Sequence, residues 1–184
     1  AIVAMGLLQR HRAIGAGVLI CPALYESRAQ ALAVVEQAPR LQRMILRSPR
    51  LAHVTCEASC MLRPLLRPVA PLFARDLPPA VARAGLDHTW GSYSRTLERI
   101  VLGGLSWPLA SEVGDRVAIV HADGDRTVPA QVIEPFVPLV KRFVLVNGDH
   151  QALLTRPDSV AREVLASLAA LGEPRSALRM TTRP

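Results

Sequence analysis

Three short apolar runs constrain this chain more than anything else in it: Val18-Leu19-Ile20-Cys21, Val117-Ala118-Ile119-Val120 and Phe143-Val144-Leu145-Val146. None alternates with polar residues, and each is bounded within four or five residues. Such runs read as strands buried on both faces, the pattern of a parallel sheet. The long stretches between them carry helical rather than alternating periodicity, so the strands must be joined by crossovers. The fold class expected is therefore α/β. Three parallel strands make a small sheet with an exposed edge, and the chain reads as part of a larger one.

Residues 1 to 11 carry Ile2, Val3, Met5, Leu7 and Leu8, apolar on nearly all sides, which predicts a helix buried against something large. Residues 23 to 111 contain no convincing strand. Helices are expected over Ser27–Gln37, around Leu41–Leu46 and over Ser92–Leu102, with Pro64, Pro68, Pro71, Pro78 and Pro79 cutting the rest into short pieces. A short helix should follow Pro129. Pro157 starts a last helix, with Asp158 in its first turn, a buried stripe of Val160, Val164, Leu165, Leu168 and Leu171, and Gly172 at its end. The organisation expected is a core of 1–22 and 112–172, a helical insertion over 23–111 that roofs the strand ends, and a loose tail over 173–184.

The net charge of +7 raises the question of nucleic acid. Of 22 basic residues all but Lys141 are Arg, and they are spread along the chain rather than clustered. With two Tyr, two Trp and three Phe there is little to stack on bases, so nucleic-acid binding is set aside. No apolar run approaches the ~18 residues of a membrane span. The apolar start at Ala1–Leu8 has its basic residues after it, the reverse of a secretory leader. Cys21, Cys56 and Cys60 suggest no disulfide framework, and a reducing, cytoplasmic setting is expected. His53, Cys56 and Cys60 share helical spacing, but a structural zinc site wants a fourth ligand, so a helix face of small residues is the better reading. No metal or organic cofactor is implied by any motif.

Two residues carry the chemistry. Asp125 lies in HADGDRTVP after the second run, and His150 lies in NGDHQALLTRP after the third, 25 residues on. An acid and a histidine after successive strands fall at the carboxyl edge of the sheet, where open α/β sheets bind ligands. Asp125 would hold the imidazole in its working tautomer and His150 would act as general base. Their bland alternatives are an Asx-type turn residue and a solvated loop histidine; Asn147-Gly148 could also form a hairpin turn. Asp123 competes for the acid role. His121, closing its strand, reads as structural, as does His11 at a helix end. His88, beside Trp90, could line a substrate cavity. No G-x-S-x-G occurs in the 184 residues. Ser59, Ser92, Ser94 and Ser106 all lack the flanking glycines, although Ser106 comes nearest, and Cys21 ends a strand.

These features together resemble the C-terminal half of an α/β-hydrolase. AIVAMGLLQRHRAIGAGVLICPA is similar to the helix and strand that follow the nucleophile elbow. HADGDRTVP is similar to the family's strand ending in H-G-x-x-D-x-x-V-P, with Ala122 in place of Gly. NGDHQALLTRPDSVAREVLASL is similar to its last strand, G-x-H turn and closing helix. The resemblance implies an enzyme that acts on a small-molecule substrate through a nucleophile-His-Asp triad, with Asp125 and His150 as acid and base. It places the nucleophile and the oxyanion-hole donors before Ala1, in a longer parent. An esterase, a cofactor-free haloperoxidase-like esterase, an aspartate-nucleophile epoxide hydrolase or dehalogenase, a non-catalytic binding module of the same fold and an unrelated small α/β domain all stay open. Oligomeric state is not readable.

Overall fold

The computed structural model describes residues 1–37, 40–73, 78–87 and 89–172; His88 and the expected tail over 173–184 lie outside them. A three-stranded, wholly parallel sheet is formed by β1 (Gly17–Ile20), β2 (Val117–Ala122) and β3 (Arg142–Val146), in the order β1-β2-β3. Gly17 pairs with Val117 and Ile20 with Val120; Ala118 pairs with Arg142 and Ala122 with Val146. All six residues of β2 are buried, as a central strand covered on both faces requires.

The period-two alternation of the strands sorts their side chains between two cores. Leu19, Val117, Ile119 and Phe143 face one layer, with α1 (Ile2–Arg10) and α8 (Ser106–Val113). Val18, Ile20, Val120, Ala122, Val144 and Val146 face the other, where α11 (Pro157–Gly172) supplies Val160 and Val164. Helices thus cover both faces of the sheet. Among the described residues no strand pairs with the outer edge of β1. An open groove runs along it, lined by Ala1, Ile2, Val18, Ile20, Cys21 and Thr96.

Between β1 and α8 the described residues form helices and no strand: α2 (Arg28–Gln37), α3 (Arg40–Arg47), α4 (Pro49–Met61), α5 (Arg63–Phe73), α6 (Pro79–Ala84) and α7 (Trp90–Thr96), the last running into a π-helical turn at Leu97–Val101. Ser48 caps α4 through its side chain, and Thr89 and Ser92 form a capping box at α7. After β2 come α9 (Ala130–Ile133) and a 3-10 turn at Glu134–Phe136, and after β3 comes α10 (Ala152–Thr155).

Four expectations need correction. The helix α1 buries only one face, Ile2, Met5 and Leu8, while Val3 and Leu7 are exposed. In α11 the buried residues are Val160, Ser167 and Ala170; Leu165 and Leu168 face outward. In α1 apolar residues lie on nearly all sides, and in α11 alanines and leucines flank the expected stripe, so sequence alone could not fix which face meets the sheet. Proline does not break α5, which runs through Pro68 and Pro71. Each proline removes one backbone rung, and the carbonyls thereby freed, of Pro64 and Arg67, belong to exposed residues where water can take them. Finally α8, whose sequence falls mostly inside the expected insertion, packs on α1, and its Ala110 and Val113 join the main core.

The amino ends of β2 and β3 are tied by the Lys141 N–H, which donates to the carbonyls of Gly114 and Val117, both at 2.9 Å. Gly114 sits so close to the incoming chain that a Cβ there would lie 2.1 Å from the Leu139 carbonyl oxygen. Backbone on both sides leaves nothing flexible to yield. The substitution Gly114→Ala should therefore lower stability by about 1–3 kcal/mol, read as a shift of the urea midpoint at unchanged slope.

Candidate functional site

The site is made by two loops that leave adjacent parallel strands and stay hydrogen-bonded beyond them. The Asp123 N–H donates to the Val146 carbonyl and the Gly124 N–H to the Gly148 carbonyl, each at 2.9 Å, while the Gly148 N–H donates to Asp123 Oδ1 at 3.2 Å. Gly124 is required there because a Cβ would stand 2.6 Å from the Gly148 oxygen. Gly148 has φ 153° and permits the turn that a side chain would strain. The Asn147-Gly148 pair therefore does not form a hairpin; it turns the chain into α10, with the Ala152 N–H donating to the Asp149 carbonyl at 3.0 Å. Asp123 is the staple of this clasp, and the carboxylate that meets His150 is that of Asp125.

Asp125 is buried, and both its oxygens are occupied. Oδ1 accepts the N–H groups of Thr127 and Val128, each at 2.8 Å, and Oδ2 lies 2.7 Å from His150 Nδ1. The Asx-type turn expected as the bland reading is present, and it is what aims the other oxygen at the histidine. Val128, fully buried, anchors the end of that turn, and Pro129 opens α9. Burial pushes the Asp125 carboxyl up, but the His150 hydrogen bond, the Val128 N–H and the imidazolium charge outweigh it and leave the group below its ordinary value. Its hydrogen bond to Asp125 raises His150 above its ordinary value, against the opposing effect of partial burial. With Nδ1 on the carboxylate, neutral His150 carries its proton there and its lone pair on Nε2, and its side chain is 29% exposed.

Beneath the pair lies His121, fully buried, with Nε2 3.0 Å from the Val128 carbonyl oxygen. A carbonyl only accepts, so Nε2 bears the proton. Nδ1 is buried without a hydrogen-bond partner among the described residues. Burial holds this imidazole below its ordinary value, against the opposing pull of Asp125. Donor atoms of Cys21, His121 and Asp125 lie within 4.8 Å of one another.

Tyr25, absent from the residues singled out by sequence, also lies near the pair. It is buried in the segment after β1, and its phenol is raised by burial and then by the charge of Asp125. An aromatic residue with a polar tip just past a strand end was the available signal.

The candidate nucleophiles are placed elsewhere or are poorly activated. Ser59 donates to the Thr55 carbonyl within α4 at 2.8 Å, Ser92 serves the α7 capping box, Ser94 lies on the same helix, and Ser106 is buried at the start of α8. Cys21 follows β1 with φ 41°, a left-handed conformation costing a residue with a Cβ about 1–2 kcal/mol. Burial pushes its thiol up; a backbone hydrogen bond at Ala122 opposes this, and Asp125 and Asp149 add to it. That is the reverse of the electropositive setting that makes a thiolate. His53 packs at a tilt against Trp90 with centroids 5.0 Å apart and lies 3.6 Å from Glu57, while Cys56 and Cys60 on α4 are in no disulfide and Cys60 Sγ accepts from Arg63 at 3.4 Å.

Comparison with known proteins finds no family model that matches the chain, and no curated protein or solved structure that does. The site therefore stands on its own geometry.

The two shifts of the pair act on stability in opposite pH ranges. Asp125 is depressed, so its contribution is present above its unfolded value near 3.8 and is lost as pH falls through the lower folded value. His150 is raised, so its contribution is present below 6.5 and is lost as pH rises through the higher folded value. The pair is therefore fully stabilising between about pH 3.8 and 6.5. His121, held neutral, works against the fold as pH falls below 6.5. A double-mutant cycle of Asp125→Asn and His150→Ala should give a coupling of about 1.5–3 kcal/mol at pH 5.5. At pH 9 it should be clearly smaller; equal couplings in urea melts at the two pH values would contradict the raised histidine.

Proposed function

We propose that Asp125 and His150 are the acid and base of an α/β-hydrolase, and that the parent protein cleaves esters or related bonds of a small-molecule substrate through a covalent intermediate. One observation supports this above the rest. A buried carboxylate, fixed through one oxygen by two backbone N–H groups, presents its other oxygen to His150 Nδ1 at 2.7 Å, at the carboxyl ends of adjacent parallel strands. A turn residue alone has no need of the histidine, and a solvated histidine has no need of a buried acid.

In this reading Nε2 of His150 takes the proton of the attacking nucleophile as its oxygen bonds to the substrate carbonyl carbon. The same nitrogen gives the proton to the leaving alkoxide as the ester bond breaks. Water then attacks the acyl intermediate by the same route, releasing the acid and the free nucleophile. Asp125 does not accept the proton; it fixes the tautomer and stabilises the imidazolium. The nucleophile is assigned to a segment preceding Ala1, since the resemblance begins just after the elbow. The helical segment between β1 and α8 is the region that would select the substrate. An aspartate nucleophile, or a binding module that keeps the pair without using it, is distinguished by the segment preceding Ala1: G-x-S-x-G for the serine enzyme, G-x-D-x-x for the aspartate enzyme, neither for the binding module.

The test sets the 184-residue chain beside a longer parent. The chain alone should show no serine-dependent hydrolysis of an activated ester and no stoichiometric labelling by a fluorophosphonate. The parent should show both, and His150→Ala should reduce its kcat about 10³–10⁶-fold, with Asp125→Asn costing about 10³–10⁴-fold. Labelling of the chain alone would place a nucleophile within it and end the proposal.

A further inference from the structure

Three metal-ligating side chains meet beneath His150, and the acid-base chemistry leaves part of each unused. Donor atoms of Cys21, His121 and Asp125 lie within 4.8 Å of one another, and all three residues are buried. They converge from adjacent strands: Cys21 follows β1, His121 lies near the end of β2, and Asp125 follows it. His121 gives its Nε2 proton to the Val128 carbonyl, so its lone pair is on Nδ1, buried without a hydrogen-bond partner among the described residues. Metal-bound histidines are oriented in this way, with the other ring N–H donated to a backbone carbonyl. Asp125 Oδ2 accepts one hydrogen bond, from His150, and a carboxylate oxygen has two lone pairs. Cys21 Sγ has a contact of 3.9 Å to the Asp149 carbonyl and a backbone hydrogen bond at Ala122. Both are weak, because sulfur is a weak donor and acceptor.

A thiol in this setting is a poor nucleophile and a good ligand. Burial, and then the charges of Asp125 and Asp149, keep the proton on Cys21. Those same charges draw a cation, and a coordinated thiol gives its proton up. One sulfur, one imidazole nitrogen and one carboxylate oxygen suit zinc, whereas magnesium and calcium want oxygen. Around a tetrahedral zinc such donors stand roughly 3.3–3.6 Å apart. Donors already within 4.8 Å need to close by no more than about 1.5 Å. Cys21 also lines the open groove on the outer edge of β1, which gives an ion a way in. We propose that Cys21 Sγ, His121 Nδ1 and Asp125 Oδ2 form a zinc site whose fourth position is open to water. The ion shares Asp125 Oδ2 with His150. Zinc binding here is independent of the hydrolase reading and is measured without activity, so either can fail alone.

The experiment is calorimetric titration of zinc chloride into the full chain carrying Cys56→Ala and Cys60→Ala, in which Cys21 is the remaining thiol. The expected result is one zinc per chain with about one proton released, since Cys21 must ionise while His121 is already neutral and Asp125 already charged. Repeating the titration in a buffer of different ionisation enthalpy reads that proton. Cobalt in place of zinc should give a thiolate-to-metal charge-transfer band. Cys21→Gly, added to that chain, removes the sulfur at a position where φ is 41° and glycine is unstrained, so the fold is kept. It should abolish the cobalt band and weaken zinc by more than about 100-fold, the upper end for losing a partner outside the coordination shell. His121→Gln keeps a donor for the Val128 carbonyl and should weaken zinc similarly with its circular dichroism unchanged. Three results would overturn the proposal: no stoichiometric zinc binding, zinc bound as tightly after Cys21→Gly as before it, or zinc bound by the native chain and not by the one lacking Cys56 and Cys60. The last would assign the ion to α4.

Discussion

Everything at the site depends on β2 and β3 remaining paired after their strands have ended. The ladder does not stop at Ala122 and Val146; it continues through the backbone bonds of Asp123 and Gly124 to Val146 and Gly148. That extension fixes one loop against the other before any side chain is considered. A parallel register error of one residue would turn every strand side chain to the opposite layer. It would also move Asp125 and His150 out of reach. The fully buried β2 prevents the slip, since its two faces are packed against different helices.

The carboxylate shows how one residue can meet structural and chemical demands together. With Oδ1 saturated by Thr127 and Val128, the Asp125 side chain has no rotational freedom left, and Oδ2 is delivered to the histidine at no further entropic cost. Burial alone would favour the protonated acid; the donated hydrogen bonds reverse this and keep it ionised. His121 lies under the same carboxylate yet stays neutral, because burial outweighs the pull of Asp125 and of the Val128 carbonyl that accepts its Nε2 proton. Two histidines beside one acid thus take opposite protonation tendencies, set by burial at His121 and by the hydrogen bond to the carboxylate at His150.

The sheet and the pair were legible because both rest on local signals. A short run of β-branched residues bounded by turns has few alternative fates, and an acid or histidine just past such a run falls at a predictable edge. The parts that misled were decided by contacts distant in sequence. Leu165 and Leu168 are as apolar as Val160, and only the position of the sheet leaves them outside. Ser106–Val113 joins the core because α1, about a hundred residues earlier, offers it a face. Tyr25 draws its environment from Asp125 across the strand ends, which no spacing rule encodes.

The two interior prolines of α5, Pro68 and Pro71, set a mechanical difference between parts of the molecule. A helix lacking two of its internal rungs, packed on the neighbouring α4 and α6 rather than on the sheet, has little to lose by opening. The sheet beside it is knit through a strand with no accessible surface worth the name. Thermal fluctuation should therefore be partitioned: frequent and local in the proline-bearing helices, rare and global in the strands. A protein divided in this way can move one part of itself while the hydrogen bond between Asp125 and His150 holds still.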